Sequence, residues 1–368
     1  MKFKKLLMML ALAIIVTACA NQNSGDETEA PATETTEAPA TEETTQPETT
    51  EQKESATTTV EAPEFEGTAI ELRRGYAAPH GEQAFSSIGV VLEGDKILAA
   101  SIDEYQFGDP NEFEAVPNSD KDFGEGYGEG VALYSKVDND EAYSALMKDK
   151  GKATKSLNDN YQAIEEFVKN KTIGEVKATI DASEAGKPVD AVSGATLVDT
   201  VGYLEAIVDA AENGFISHGA YDPANSETLE LERELSAPHG TRSFADVFVA
   251  KQGDKIVAAS IDEFQFMEGE PVPNADKKFG EGFADMKAPL ISKVQNDAAY
   301  STVMKNSGKA TKTLGESYKG IEHFVVGKTD EDIMKIVNES TPGETVDAVS
   351  SSTLVDTANY LKSIAEVD

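Results

Sequence analysis

"GDKILAASIDEYQF", Gly94 to Phe107, returns almost letter for letter as "GDKIVAASIDEFQF", Gly253 to Phe266. In each copy a Gly-Asp pair splits two apolar, β-branched runs: "IGVVLE" and "KILAASI" in the first, "VFVAKQ" and "KIVAASI" in the second. A glycine between strand-forming runs is a strong hairpin signal, because it takes the positive φ that a two-residue turn needs. A repeat at such a long period indicates two whole domains rather than the short units of a solenoid.

The repeat extends outward from this hairpin. "APHG" at Ala78–Gly81 recurs at Ala237–Gly240, "FGEGY" at Phe123 as "FGEGF" at Phe279, and "GKATKSL" at Gly151 as "GKATKTL" at Gly308. The copies join near "HGAYDPANSE", residues 218–227, which sets domains at 67–220 and 226–368. Within each, strands come first and helical patterns such as "NDEAYSALMKD" and "NYQAIEEFVKN" follow. This order predicts an α+β fold of two tandem homologous domains, each an antiparallel sheet with flanking helices. "SKVxND" (Lys136, Val137, Asn139, Asp140; Lys293, Val294, Asn296, Asp297) has the form of a helix start. In the last helix of the first copy, Leu197, Val201, Leu204, Ile207 and Val208 share one face.

Before the repeats, Lys2, Lys4 and Lys5 precede an apolar run, Leu6–Val16, that is too short to span a bilayer. The run ends in "IVTAC". Residues 1–18 therefore have the form of a lipoprotein signal peptide, with Cys19 lipidated and anchoring the chain to the outer face of the cell membrane. Cys19 is the only cysteine, so neither a disulfide nor a thiolate metal site is available. Residues 19–66 then form a Thr/Glu/Pro-rich tether with too few apolar residues to fold. The net charge of −35 excludes nucleic acid as a partner and leaves the lipid as the contact with the membrane.

The chemistry rests on a second duplicated stretch, "DAVSGATLVDT" at Asp190–Thr200 and "DAVSSSTLVDT" at Asp347–Thr357. One reading is structural. Thr196 through Asp199 has the spacing of a capping box, Thr at the N-cap and an acid three residues on. The other reading is an attachment point. Gly194 and Ala195 leave the backbone bare, a helix N-terminus suits a phosphate, and Asp190 lies where a turn brings a carboxylate towards the hydroxyl. Asp199 opposes that reading unless its carboxylate turns away.

"DAVSGAT" resembles the flavinylation motif of FMN-binding domains, in which a flavin transferase moves FMN from FAD onto a Thr hydroxyl. The resemblance makes Thr196 the acceptor and Asp190, Ser193, Gly194 and Ala195 its recognition turn. In the second copy it makes Thr353 the acceptor beside Asp347 and Ser350, with Ser351 and Ser352 replacing the Gly and Ala. It implies covalent FMN, two per chain. The order of signal, tether and two such domains resembles the lipoproteins of Gram-positive flavin-based extracellular electron transfer. That likeness implies an electron carrier rather than an enzyme. Electrons would pass from membrane quinone-linked proteins to extracellular acceptors such as ferric iron, and a leader peptide near Ala11–Ala18 would serve as a pheromone.

Other candidates keep two readings. The recurring aromatics (Tyr105 and Phe264, Phe107 and Phe266, Phe123 and Phe279, Tyr127 and Phe283) pack in a core or stack on a flavin. The Gly124–Gly126 and Gly280–Gly282 loops admit a flavin or are tight turns. His80 and His239, kept in both copies, are turn residues or proton donors. His218 and His323 have no counterparts, and no paired metal site is expected from them. The alternatives to a carrier are an FMN-dependent extracellular reductase and a non-redox solute- or wall-binding lipoprotein.

Overall fold

The computed structural model describes residues 64–151, 153–306 and 310–367; the leader, Cys19 and the tether up to residue 63 lie outside them. The first copy runs β1 (Thr68–Ala77), β2 (Ala84–Glu93), β3 (Lys96–Gly108), β4 (Ala132–Ser135), α1 (Asp140–Gly151), α2 (Leu157–Val168), α3 (Ile173–Asp181), α4 (Thr200–Asn213) and β5 (Phe215–Tyr221). The second runs β6 (Leu229–Ser236), β7 (Ser243–Gln252), β8 (Lys255–Phe266), β9 (Leu290–Ser292), α5 (Asp297–Asn306), α6 (Leu314–Val325), α7 (Asp330–Glu339) and α8 (Thr357–Ala365). The fold is α+β, with two antiparallel sheets ordered β4-β3-β2-β1-β5 and β6-β7-β8-β9.

The expected hairpins form at both Gly-Asp pairs. Glu93 pairs with Lys96 and Gln252 with Lys255, and the glycines between them adopt φ of 61° and 64°. One strand escaped the sequence reading. β5 runs into the stretch taken as the junction, and it pairs antiparallel with the free edge of β1. An unpaired edge exposes a row of N–H and C=O groups, and β5 satisfies it.

Alternation along the strands sends side chains to two different cores. Ile88, Val90 and Leu92 of β2 meet α2, α3 and α4, while Val91 turns to the opposite sheet. In the second copy Val247 and Val249 of β7 meet the helices, and Phe248 and Ala250 face the first sheet. A register shift at Val91/Leu92 leaves Leu98 and Ala99 of β3 on the same side, towards the other sheet. Val257 and Ala258 repeat this in β8 beside the shift at Ala250/Lys251. This bulge breaks the period-2 pattern and makes both strands read as uniformly apolar. The two sheets therefore stack face to face with helices outside each, and all described residues fall in one compact unit.

A pseudo-two-fold relation governs the seam. Phe123 N–H donates to Thr241 O and Phe279 N–H to Glu82 O, both at 2.8 Å. Asn118 Nδ2 bridges Gly240 O and Ser243 O, as Asn274 Nδ2 bridges Gly81 O and Ala84 O. Arg74 of β1 crosses to Asp246 at 2.9 Å, and its counterpart Arg233 of β6 crosses back to Asp103 at 3.1 Å. The recurring aromatics pack among themselves here: Phe85, Tyr105, Phe123, Phe244, Phe264, Phe279 and Phe283 are buried in one cluster, flanked by Phe107, Tyr127 and Phe266. Their role is core packing.

Two predictions follow from this seam. A Cβ on Gly126 would stand 2.1 Å from the ring of Phe266, and one on Gly282 2.3 Å from that of Phe107. Gly126→Ala should lower urea-unfolding stability by about 1–3 kcal/mol, or more if the ring cannot move. Gly174→Ala, which meets only Thr172 Oγ1 at 3.9 Å, should be neutral or slightly stabilising. The second concerns Glu322, which accepts from Ile261 N–H at 2.9 Å and Ser217 Oγ at 2.9 Å across the α6–β5 contact. Burial pushes its carboxyl up to about 7, against the pull of those donors and of Arg74 and Lys319. The folded state therefore holds the proton more tightly than the unfolded one. The resulting stability is complete below about pH 4.5 and is lost as pH rises through about 7, at most about 3 kcal/mol. Glu322→Gln should shrink the loss of stability measured between pH 5 and 8.

Candidate functional site

Each copy closes with a loop that hangs from two buried valines. Val189 and Val192 in the first, and Val346 and Val349 in the second, sink into the helix-side cores. Successive turns follow, with Val192 N–H bonded to Val189 O and Ala195 N–H to Val192 O; Val349 and Ser352 repeat them. Anchored this way, the loop keeps Asp190, Ser193 and Thr196 exposed while Ala195 is buried.

The capping-box reading of Thr196 does not hold. α4 begins at Thr200, and its N-cap, Asp199, makes no side-chain cap bond. The physical reason lies across the loop. Asp199 Oδ2 is engaged by His80 Nδ1 at 2.7 Å, and Asp356 by His239 Nδ1 at 2.8 Å in the second copy. The Pro-His-Gly turn is thus more than a turn: its histidine holds the acid that follows the threonine. Thr196 stands four residues ahead of α4, so the first N–H groups of that helix are not at its hydroxyl. Asp190 forms no bond to Thr196.

Asn160 of α2 takes that place instead. Its Oδ1 accepts from Thr196 N–H at 2.6 Å and from the Thr196 hydroxyl at 3.1 Å, while its Nδ2 donates to Ser156 O. Because Asn160 accepts the hydroxyl proton, the lone pairs of Thr196 Oγ1 are left for another partner. Gly194, at φ 109°, brings bare backbone beside Ala163 Cβ and Lys155 Nζ, 3.1 and 3.4 Å from where its own Cβ would stand. Lys155 is the final lysine of "GKATK", just ahead of the Ser156 N-cap of α2. A hydroxyl, a flanking ammonium and an acid already held by histidine form a setting that accepts a phosphate.

The second copy differs at this turn. Ser351 replaces Gly194, does not take a positive φ, and packs its Oγ 2.6 Å from where a Cβ on Gly320 would stand. The helix residue facing the turn has exchanged size with it: Ala163 against Gly194, Gly320 against Ser351. Lys312 Nζ bonds Ser351 O at 2.7 Å. Ser352 is buried and its hydroxyl is shared with Thr357 at 2.9 Å, so it is not presented to solvent. Ser317 stands where Asn160 would be, and both its hydroxyl and Thr353 Oγ1 are buried without a partner.

Beneath each threonine lies a charged network that sequence reading missed. Lys136, the lysine of "SKVxND", is fully buried against Glu104 at 2.9 Å, and Tyr161 and Tyr203 each donate to Glu104 at 2.8 Å. Lys293, Glu263, Tyr318 and Tyr360 repeat the arrangement. Burial alone would raise Glu104, but Lys136 and then His80, with the hydrogen bonds, hold it below the usual carboxylate range. Burial likewise lowers Lys136, and Glu104 outweighs it, keeping the ammonium charged. The "SKVxND" stretch is therefore a buried cation as well as a lead into α1. Its repetition beside "IDE" was the available signal. Tyr161 follows Asn160 on α2 and Tyr203 lies on α4, so the network ties both helices behind the loop to the sheet.

His218 and His323, unmatched between copies, are neighbours with ring centroids 6.2 Å apart. Burial, then His218, pushes His323 down to about 4. Among the described residues no group of three or more His, Cys, Asp or Glu is placed to hold a metal.

Lys136→Met should cost about 3–5 kcal/mol in urea unfolding by stranding Glu104, and the double variant with Glu104→Gln should recover much of it. No family model, curated protein or solved structure matches the chain.

Proposed function

We propose that the chain is a lipid-anchored carrier at the outer face of the cell membrane, holding FMN through a phosphoester on Thr196 and a second on Thr353. It takes electrons from membrane quinone-linked proteins and delivers them to extracellular acceptors such as ferric iron, without turning over a substrate of its own. The observation that carries this reading is the setting of Thr196. An exposed threonine sits on a bare glycine turn with its proton directed to Asn160, Lys155 alongside, and Asp199 engaged by His80. The charge objection to a phosphate beside Asp199 is thereby reduced.

FMN supplies reversible electron transfer when attached. This chain's own residues hold and surround it. Thr196 contributes the oxygen of the ester, Gly194 and Ala195 keep the approach clear, and Lys155 balances the phosphate charge. Exposed Val198, 50 % accessible two residues after Thr196, and Val355 in the second copy offer apolar surface next to the attachment points. A permanent bond suits a carrier, since the redox group cannot diffuse from an exterior protein even where it is weakly bound.

Full-length chain produced with a flavin transferase should stay yellow after denaturation and gel filtration. Thr196→Ala should remove at least half of the protein-bound flavin absorbance, and Thr196→Ala with Thr353→Ala all of it. A wild-type chain that comes through colourless would contradict the reading.

A further inference from the structure

The two attachment turns are near copies in sequence, yet they present their threonines differently. Thr196 is exposed and its hydroxyl donates to Asn160, whereas Thr353 Oγ1 is buried and unpartnered above an equally unpartnered Ser317. The difference traces to three paired positions: Asn160 and Ser317, Ala163 and Gly320, Gly194 and Ser351. Gly194 holds φ 109°, which a serine rarely adopts, and Ser351 instead presses towards Gly320. Ser317 is too short to receive the threonine as Asn160 does.

From this we infer that flavin loading is ordered: Thr196 is modified first from the folded state, and Thr353 only when its turn opens. The inference rests on the attachment reading above and adds which residues set the preference. In the transfer step the threonine Oγ bonds the flavin-side phosphorus of FAD. The pyrophosphate bond breaks, AMP departs, and the hydroxyl proton is released to solvent. A hydroxyl on an exposed residue, with its proton held by Asn160, is already presented towards that phosphorus. A hydroxyl buried without a partner must first be uncovered, and its rate falls by the fraction of time the turn is open.

The test is a time course of the full chain with a flavin transferase and FAD, read by intact mass and by peptide mapping. One added FMN should appear on the Thr196 peptide at least ten-fold faster than on the Thr353 peptide. Thr353→Ala should leave the first phase unchanged. Converting the second turn to the first, with Ser317→Asn, Gly320→Ala and Ser351→Gly together, should bring Thr353 to within a few-fold of Thr196. Should that triple variant fold poorly, urea below the unfolding transition serves instead, and should accelerate Thr353 selectively in the unaltered chain. Equal rates at the two threonines, or Thr353 first, would overturn the ordering while leaving attachment intact. No mass added at either site, with a transferase proven on another FMN-binding domain, would overturn both.

Discussion

The paired strands β2 and β3, and β7 and β8, are buried on both faces along most of their length, and that constraint organises the rest. A β-sheet covered by helices on one side still exposes the other, and here the other side is apolar: Val91, Leu98 and Ala99 in one copy, Phe248, Ala250 and Val257 in the other. Neither sheet can leave that face in water without forfeiting the burial that offsets chain entropy. The duplication supplies the cover, each copy closing the other. Arg74 and Arg233 then cross the seam to buried carboxylates, which fixes how the sheets meet. A buried ion pair adds little net stability but penalises any other register, since a slipped sheet would strand its charges.

The seam also explains why the candidate sites face outward. One face of each sheet is committed to its neighbour, so that face offers no loop to a partner. The threonine loops lie on the helical side, suspended from buried valines and backed by the Glu–Lys–Tyr–Tyr networks. Those networks connect the strand carrying Glu104 to α2 and α4, so the sheet positions both Asn160 and the loop. The Pro-His-Gly turn completes the frame, because its histidine engages Asp199 and its backbone carbonyl at Gly81 accepts from the opposite copy's Asn274. Candidate site and inter-copy seam are thus consecutive parts of one structure.

Much of this was legible in the sequence. The duplication, both hairpins, the α+β order and the exposed threonine turn follow from repeats, from Gly-Asp pairs and from small residues. What escaped has particular causes. β5 was hidden because "FISHGAY" carries a histidine, a glycine and no clean alternation, and it forms only because β1 has an edge to fill. The capping box failed because a distant histidine claimed the aspartate, a contact that no local spacing reveals. Lys136 reads locally as part of a helix start, and the partner that makes it a buried cation lies 32 residues earlier. The Ala163–Gly194 and Gly320–Ser351 exchange needs the tertiary pairing before it has any meaning.

The proposed carrier depends on one oxygen, Thr196 Oγ1. The most direct measurement is peptide mapping of the protein taken from its own host's membranes, following the fragment that contains Thr196. That fragment should carry FMN as a phosphoester on Thr196, released as free FMN by phosphodiester cleavage. Recovery of the same fragment wholly unmodified, from cells whose other flavoproteins are loaded, would contradict it.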